Sequence, residues 1–170
     1  MFVQLAAPSR TRIKRYQEVQ DEIRTTVQQV NTAVGSRGWK PILYLEAHHD
    51  HREIWPFYRH ADFCMVSSLH DGMNLVAKEF VSVRDDEDGA LILSRFTGAA
   101  RELRDALIVN PYDVDEMADA IAAAIEMPVE QRTLRMKRMR EVVRDHNIYR
   151  WAGLLLGNMA RIPECQEVRT

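Results

Sequence analysis

Residues 71–79 read Asp71-Gly72-Met73-Asn74-Leu75-Val76-Ala77-Lys78-Glu79, the pattern of a turn that leads from a strand into a helix. Before this stretch, the apolar run Phe63-Cys64-Met65-Val66 is typical of a buried parallel strand. After it, apolar residues recur at helical spacing, and Asn74 is suited to cap the helix. The stretch therefore predicts one strand–turn–helix unit of an α/β sheet.

The start of this predicted helix is suited to an anion. Gly72 lets the backbone turn sharply and approach a ligand closely. The first amides of a helix have no partner within it, and together with the helix dipole they favour a diphosphate. Asp71 precedes the helix and Glu79 lies about a turn and a half inside it, so these carboxylates are candidates for the hydroxyls of a hexose and a ribose. An ordinary turn with Glu79 facing solvent is an equally open interpretation of the residues alone.

Strand and helix patterns alternate along the whole chain. A long helix is predicted from Ser9 to about Val34, and Pro56 is expected to shorten or kink the next one. The alternation predicts an α/β fold in which a Rossmann-like parallel sheet has flanking helices and ligands bind beyond the carboxyl ends of the strands. Asp71 and the turn at residues 97–100 both fall there, so the two turns could share one ligand. The predicted strands are Val3–Ala6, Pro41–Leu45, Phe63–Ser67, Ala90–Ser94 and Leu107–Val109.

The last third of the chain predicts three helices. Asp113 and Glu116 have the spacing of a capping box, and Pro128 can begin the second helix. The basic residues of that helix are interleaved with acids and lack aromatic neighbours, which favours a solvated face over nucleic-acid binding. The terminal helix around Trp151 is strongly apolar. The second helix is expected to bury Leu134, Met136, Met139, Val142 and Val143 and to turn outward Arg132, Arg135, Lys137, Arg138, Arg140 and Arg144.

Composition narrows the class of protein. The chain has 170 residues, nearly half of them apolar, which is enough for one sizeable core. A net charge of −2 argues against nucleic-acid partners and against acidic membrane surfaces. No apolar run is long enough to span a membrane and no secretory signal begins the chain, so a cytoplasmic location is expected. Cys64 and Cys165 are expected to be reduced thiols, and Cys64 is not expected to act as a nucleophile.

The cluster His48-His49-Asp50-His51 contains metal-ligating side chains. Adjacent loop residues point in different directions, whereas metal-binding pairs usually lie two, three or four positions apart. We therefore expect neither a metal site nor a cofactor.

A longer segment carries a family resemblance. Residues 68–80 resemble the donor-sugar segment of the trehalose-6-phosphate synthase family, retaining glycosyltransferases built from two Rossmann-like domains. The resemblance continues through residues 91–103 and 106–113 and upstream through residues 4–17, and it covers roughly residues 2 to 160. It implies the C-terminal, donor-binding half of a two-Rossmann-domain (GT-B) glycosyltransferase, with the donor domain at residues 1–147 and a crossover helix and tail at residues 148–170.

The resemblance also implies roles for the site residues. Asp71 is the implied catalytic residue and would orient the hexose together with the backbone of Gly72, Met73 and Asn74. The helix start at residues 74–76, which includes Leu75 and Val76, would bind the leaving diphosphate, and Glu79 would take the ribose hydroxyls. The loop at residues 46–50 would lie beside the base. The implied donor is a nucleotide sugar, UDP-glucose in this family, and the implied acceptor is glucose-6-phosphate in trehalose biosynthesis.

Two departures from the family leave alternatives open. The acceptor-binding domain is not part of this sequence, so the chain is expected to be inactive alone, and His70 stands where many members carry arginine. A non-catalytic nucleotide-sugar-binding or regulatory module, working as an oligomer or with a separate acceptor-domain chain, is the main alternative. An unrelated α/β phosphotransfer or hydrolase domain is a third, but neither a nucleophile elbow nor a P-loop motif is present.

Overall fold

The computed structural model of the chain describes residues 1–8 and 13–161, and the chain divides into two compact units, residues 1–54 and 55–170. Strands and helices alternate from β1 to β5, and every strand pairing is parallel. Each unit has its own sheet, with two strands in the first and three in the second. The predicted α/β architecture of parallel strands with flanking helices is confirmed.

The first unit contains β1 (Phe2–Leu5), α1 (Lys14–Val34) and β2 (Ile42–Leu45), with Phe2 opposite Ile42 and Leu5 opposite Leu45. Asn31 joins α1 to β2, because its Nδ2 donates to Ile42 O and its Oδ1 accepts from Ile42 N, both at 2.9 Å. The predicted helix start at Ser9 lies outside the described residues, and Ile13 is the residue before the first helical turn. The helix ends at Val34, as predicted, and the next residue, Gly35, lies where a Cβ would be 2.2 Å from Asn31 O.

Pro56 lies inside α2 (His51–His60) and does not end it. Of the two predicted effects, the shortening is wrong, because the helix continues past Pro56 to His60, and the kink stays a prediction. A proline six residues into a short helix removes one intrahelical N–H bond, and the remaining turns on both sides of it persist.

The second unit is built on β3 (Phe63–Val66), β4 (Ala90–Ser94) and β5 (Leu107–Val109), in the order β3-β4-β5. All five residues of β4 are buried, as expected for a central parallel strand covered on both faces. Leu91 and Leu93 enter one apolar cluster, whereas Ala90 and Ile92 enter another, because successive side chains point to opposite faces.

Helices cover both faces of this sheet. The first cluster packs the sheet against α3 (Leu75–Val83) and α5 (Val129–Asp145) through Phe80, Met136 and Met139. The second packs it against α4 (Val114–Glu126) through Ala124. A short 3-10 turn, η1 (Gly98–Arg101), follows β4, and α6 (Ile148–Met159) follows α5. The carboxyl ends of all three strands are therefore followed by loops on one edge.

Arg84 is a buried charge at the end of α3, with 4% of its surface exposed. Its guanidinium donates to Tyr58 O at 3.0 Å, to Ala61 O, and to both carboxylate oxygens of Asp86 at 3.0 and 3.1 Å. The backbone at Gly89, with φ 89°, passes so close that a Cβ there would lie 3.0 Å from Arg84 Cζ. A buried guanidinium needs such partners, because an unpaired one would be costly.

Three arginines of α5 that were predicted to face solvent bind protein groups instead. Arg132 donates to both oxygens of Asp88, Arg135 to Asp105 O, and Arg140 to Val81 O and Ser82 O at the end of α3. These three guanidiniums bind protein groups because long side chains reach polar groups beyond their own helix. Leu134, expected in the core, is 49% exposed.

Only one of the two hydrogen bonds of the predicted capping box forms at the start of α4. Asp113 accepts from Glu116 N at 3.0 Å, but the Glu116 carboxylate binds Arg95 at 2.6 Å instead of accepting from the backbone N–H of the cap residue.

The last helix, α6, has exposed apolar side chains, including Trp151 at 52% and Leu154 at 60%. Among the described residues, none of the helices has the length and hydropathy that a membrane span requires.

Candidate functional site

The Asp71 loop, residues 67–74, connects β3 to α3 at the carboxyl edge of the three-stranded sheet. Asp71 Oδ1 accepts hydrogen bonds from the N–H groups of Met73 at 3.0 Å and Asn74 at 2.9 Å, and Oδ2 accepts one from Asn74 Nδ2 at 2.9 Å. The Met73 bond, more than the others, holds the pKa of Asp71 below its usual range, although partial burial opposes it. These three bonds fix the conformation of the loop. Because a carboxylate has about four acceptor directions, roughly one remains for a ligand hydroxyl.

Asn74 caps α3, as predicted. Its Oδ1 accepts from Ala77 N at 2.9 Å, and its Nδ2 also lies 3.4 Å from Ser68 Oγ. The residue is 5% exposed and its φ is 67°, a backbone region that asparagine tolerates better than most side chains. One buried side chain therefore sets both the helix start and the conformation of the loop.

The turn at η1 holds the Asp71 loop from the side. Gly98 N donates to Asp71 O at 2.9 Å, Ala99 N donates to Met73 O at 2.8 Å, and Asp71 N donates to Phe96 O at 3.3 Å. A Cβ at Gly98 would lie 2.1 Å from Gly72 O, so only glycine permits this approach. The loop itself uses the amides of Gly98 and Ala99, so these two groups are not available to a ligand. That the two turns share one ligand stays a prediction.

The first two amides of α3 remain available. In the described part of the chain, no acceptor is hydrogen-bonded to Leu75 N or to Val76 N. The side chains of Leu75 and Val76 are 59% and 43% exposed, so this helix end faces solvent. Two free N–H groups at the positive end of a nine-residue helix can bind an oxyanion such as a phosphate.

Glu79 lies one turn further along α3. Its side chain is half-buried, and within residues 1–8 and 13–161 it has neither a hydrogen-bond donor nor a cationic partner. Its charge acts on one neighbour: the pKa of Tyr58 is raised by burial and, to a smaller extent, by the negative charges of an ionised Cys64 and of Glu79. A half-buried carboxylate without a protein donor retains its full acceptor capacity, which suits it to a ligand's hydroxyls.

The remaining predicted residues are open to solvent. Gly72 has no atom within 4 Å of an ideal Cβ, and Met73 is 45% exposed. The structure therefore brings Asp71, residues 72–74 and the helix start into one loop, with Glu79 on the helix that the loop begins.

Sequence reasoning missed two features of the site. The first is the close approach of Gly98 to the Asp71 loop. Its only trace in the sequence is the glycine at position 98. The ion pair between Lys78 Nζ and Glu102 Oε2, at 2.9 Å, joins residues that are far apart in sequence. Neither pairing follows from local spacing.

Aromatic rings follow each strand of this sheet. The rings of His70 and Phe96 have centroids 5.7 Å apart, and those of Phe96 and Tyr112 are 5.8 Å apart. All three side chains are exposed. His70 is therefore a residue of the Asp71 loop whose ring contacts an aromatic ring from the neighbouring turn.

Two kinds of chemistry find no support among the described residues. Burial raises the pKa of the Cys64 thiol to about 12, which disfavours the nucleophilic thiolate at neutral pH. No group of three or more histidine, cysteine, aspartate or glutamate side chains in this part of the chain is arranged to hold a metal ion. The site's chemical capacity lies in its amides and carboxylates.

Comparison with known proteins gives consistent results. The sequence model of glycosyltransferase family 20 matches residues 1–161. A trehalose-6-phosphate synthase from Klebsiella pneumoniae is 40% identical over 99% of this chain and 36% of its own length, and one from Enterobacter sp. is 38% identical over 94% and 34%. The chain thus spans about a third of the length of the curated relatives it matches.

Solved structures agree with the sequence matches. An α,α-trehalose-phosphate synthase (UDP-forming) from Burkholderia xenovorans, in complex with glucose-6-phosphate, has a TM-score of 0.89 and 39% identity over 94% of this chain and 35% of that one. An E. coli structure bound with UDP-2-fluoro glucose has a TM-score of 0.90 and 38% identity over 95% of this chain and 36% of that one.

Proposed function

The chain belongs to glycosyltransferase family 20, and from this premise we propose that it is the donor-binding half of a retaining glycosyltransferase of the trehalose-6-phosphate synthase type. In the complete enzyme, glucose would pass from a nucleotide sugar, UDP-glucose by resemblance, to glucose-6-phosphate. The chain spans about a third of its curated relatives, so the acceptor sugar would be bound by parts that this sequence does not include.

The free amides of Leu75 and Val76 carry this proposal, because they lie at the end of a helix whose entry is fixed by Asn74. A diphosphate accepts hydrogen bonds from such amides, and its charge is favoured by the helix dipole. A hydrogen bond to a charged group contributes about 1.5–3 kcal/mol. Few groups of this kind are available, so we expect this chain to bind a nucleotide sugar weakly, with a dissociation constant on the order of 1 mM.

The carboxylates would hold the two sugars of the donor. Glu79 has no protein partner in the described residues and would accept hydrogen bonds from the ribose hydroxyls. Asp71 has about one free acceptor direction, enough for a single hexose hydroxyl. The backbone of Gly72 and Met73 would complete the hexose contact.

The proposed contribution to catalysis is electrostatic. As the glycosidic bond breaks, negative charge develops on the leaving diphosphate. Amides that already point at this charge stabilise it more in the transition state than in the ground state. No protein nucleophile is required, because in the resembling family the donor's phosphate assists the acceptor hydroxyl.

The proposal extends to organisation and location. We place the donor domain at residues 1–147 and a crossover helix and tail at residues 148–170. The protein is proposed to act in the cytoplasm. The complete enzyme would include an acceptor domain, in the same polypeptide or as a separate chain.

Calorimetric titration of the purified chain with UDP-glucose, GDP-glucose, ADP-glucose and UDP tests the proposal. We expect saturable binding of one nucleotide sugar, weakened at least tenfold in Glu79→Ala. Binding of none of the four compounds, or equal affinity in Glu79→Ala, would contradict it. Binding without turnover after addition of an acceptor-domain chain would favour the non-catalytic module.

A further inference from the structure

An ion pair lies behind the Asp71 loop, outside the groups assigned to the ligand. Lys78 Nζ, on α3, is 2.9 Å from Glu102 Oε2, which follows η1, and His146 Nδ1 is 3.1 Å from the same oxygen. The side chains of Lys78 and Glu102 are 18% and 32% exposed. Partial burial raises the pKa of Glu102, but the hydrogen bonds from Lys78 and His146 outweigh it and hold that pKa below its usual range.

The pair connects α3 to the residue that follows η1, and η1 is itself hydrogen-bonded to the Asp71 loop. Lys78 lies one turn after the Asn74 cap, on the helix that offers the free Leu75 and Val76 amides. Glu102 N donates to Ala99 O at 3.0 Å, and Ala99 N donates to Met73 O at 2.8 Å. The loop, η1 and α3 are thus joined through backbone bonds on one side and through the Lys78–Glu102 pair on the other.

We propose that Lys78 and Glu102 are positioning residues for the diphosphate site. Their ion pair fixes α3 against η1 and so keeps the first amides of α3 in a constant relation to the Asp71 loop. This inference rests on the proposed function, because it concerns the same loop and the same ligand. It assigns Lys78 an indirect role, since its ammonium binds Glu102 and is neutralised there.

A direct role for Lys78 predicts a different result. If its ammonium bound the phosphate, Glu102 would compete for that charge, and Glu102→Gln would leave nucleotide affinity unchanged or increase it. If the pair positions the loop, Lys78→Met and Glu102→Gln both weaken binding. The two roles therefore differ in the sign of the Glu102→Gln effect.

The Arg132–Asp88 pair provides a matched control. Its shortest distance is 2.7 Å, and its side chains are 18% and 37% exposed, close to the values for Lys78 and Glu102. Asp88 precedes β4, so this pair lies at the amino edge of the sheet, away from the Asp71 loop. Arg132→Met removes an ion pair of similar burial without touching η1.

The experiment is a titration with UDP-glucose and UDP at about pH 8, where imidazoles are mostly neutral. We expect Lys78→Met and Glu102→Gln each to weaken both ligands about tenfold, and the exchanged pair Lys78→Glu with Glu102→Lys to restore most of the affinity. Arg132→Met should leave both affinities within about twofold. Equal losses in Lys78→Met and Arg132→Met, no recovery in the exchanged pair, or tighter binding in Glu102→Gln would overturn the inference.

Amide hydrogen exchange tests the positioning without any ligand. We expect faster exchange at Gly98 and Ala99 in Lys78→Met than in the wild type, with no change at these amides in Arg132→Met. Unchanged exchange in Lys78→Met would reject the positioning role even if the wild type binds UDP-glucose. Faster exchange in Lys78→Met, in a protein whose wild type binds no nucleotide, would support the positioning role of the Lys78–Glu102 pair and reject the proposed function.

Discussion

Replacement of Asn74 separates three contributions at the site. Its Oδ1 caps α3 through Ala77 N, its Nδ2 donates to Asp71 Oδ2, and its backbone has a φ of 67°. Asn74→Gly keeps the backbone conformation accessible and loses both side-chain bonds. Asn74→Ala loses the same bonds and, unlike the glycine variant, keeps a Cβ in this left-handed conformation.

The magnitudes follow from these contacts. Replacing the cap by glycine costs a few tenths of a kcal/mol, and loss of the bond to Asp71 costs about 1 kcal/mol because water can replace it at a partly exposed carboxylate. Asn74→Gly should therefore lower the free energy of unfolding by about 1–1.5 kcal/mol. A Cβ at this φ costs alanine about 1–2 kcal/mol relative to glycine, so Asn74→Ala should lower the free energy of unfolding by about 2–3.5 kcal/mol.

Urea unfolding of the purified variants measures these differences. The midpoint should fall in the order wild type, Asn74→Gly, Asn74→Ala, with the slope of the transition unchanged. Asn74→Asp retains the cap but sets a second carboxylate against Asp71, so it should also destabilise the chain, and it should do so more at neutral than at acid pH. Equal stability of the glycine and alanine variants would refute the account of the loop, because strain at this φ would then contribute nothing.

Three further effects are expected. Gly89→Ala should destabilise the chain by more than about 2 kcal/mol in urea unfolding, because φ is 89° and the new Cβ would meet Arg84 Cζ at 3.0 Å. Stability should fall as the pH is lowered below about 4, because the folded-state pKa of Asp71 lies below its unfolded value; its contribution is present above the unfolded pKa and is lost as the pH falls through the folded one. Cys64 should not react with a disulfide reagent at neutral pH while the chain is folded, because burial raises its pKa to about 12.

Each of these effects has a control. Gly72→Ala has no atom near the new Cβ and no positive φ, so a loss as large as that of Gly89→Ala would contradict the steric argument. Asp71→Asn should flatten the acid dependence of the unfolding free energy, and an unchanged slope would remove Asp71 from that account. Reaction of Cys64 at the rate of a small free thiol would show that the strand around it is open.

Local sequence patterns predicted much of this fold. The apolar runs at β3 and β4 are short and strand-like, and the cap at Asn74 follows from an amide side chain placed before a helical period. Each of these features depends on neighbouring residues alone. For that reason these patterns locate the Asp71 loop and its helix correctly.

Contacts between distant residues were not predictable in this way. Arg140 was expected to face solvent, but it binds carbonyl groups at the end of α3, some 58 and 59 positions away. Glu116 pairs with Arg95 instead of completing its capping box, because a nearby cation offers a stronger partner than one backbone amide. The division into two sheets depends on which strands pair, and a strand's own sequence does not encode its neighbour.

The same limit applies to the site. Asp71 was identified by its position before a helix, but its three bonds to its own loop depend on backbone geometry that the sequence does not display. These bonds change the expected role of Asp71, because they leave about one acceptor direction for a sugar hydroxyl. Glu79, by contrast, retains its acceptor capacity and becomes the stronger candidate for a sugar contact.

The most direct test of the central claim is a nuclear magnetic resonance titration of the labelled chain with UDP-glucose. The account predicts that the backbone amides of Leu75 and Val76 move to the shifts of phosphate-bound N–H groups, with saturation at millimolar ligand, and that amides of α6 stay unchanged. Saturable binding that leaves the Leu75 and Val76 amides unperturbed would contradict the account, because the diphosphate would then lie elsewhere.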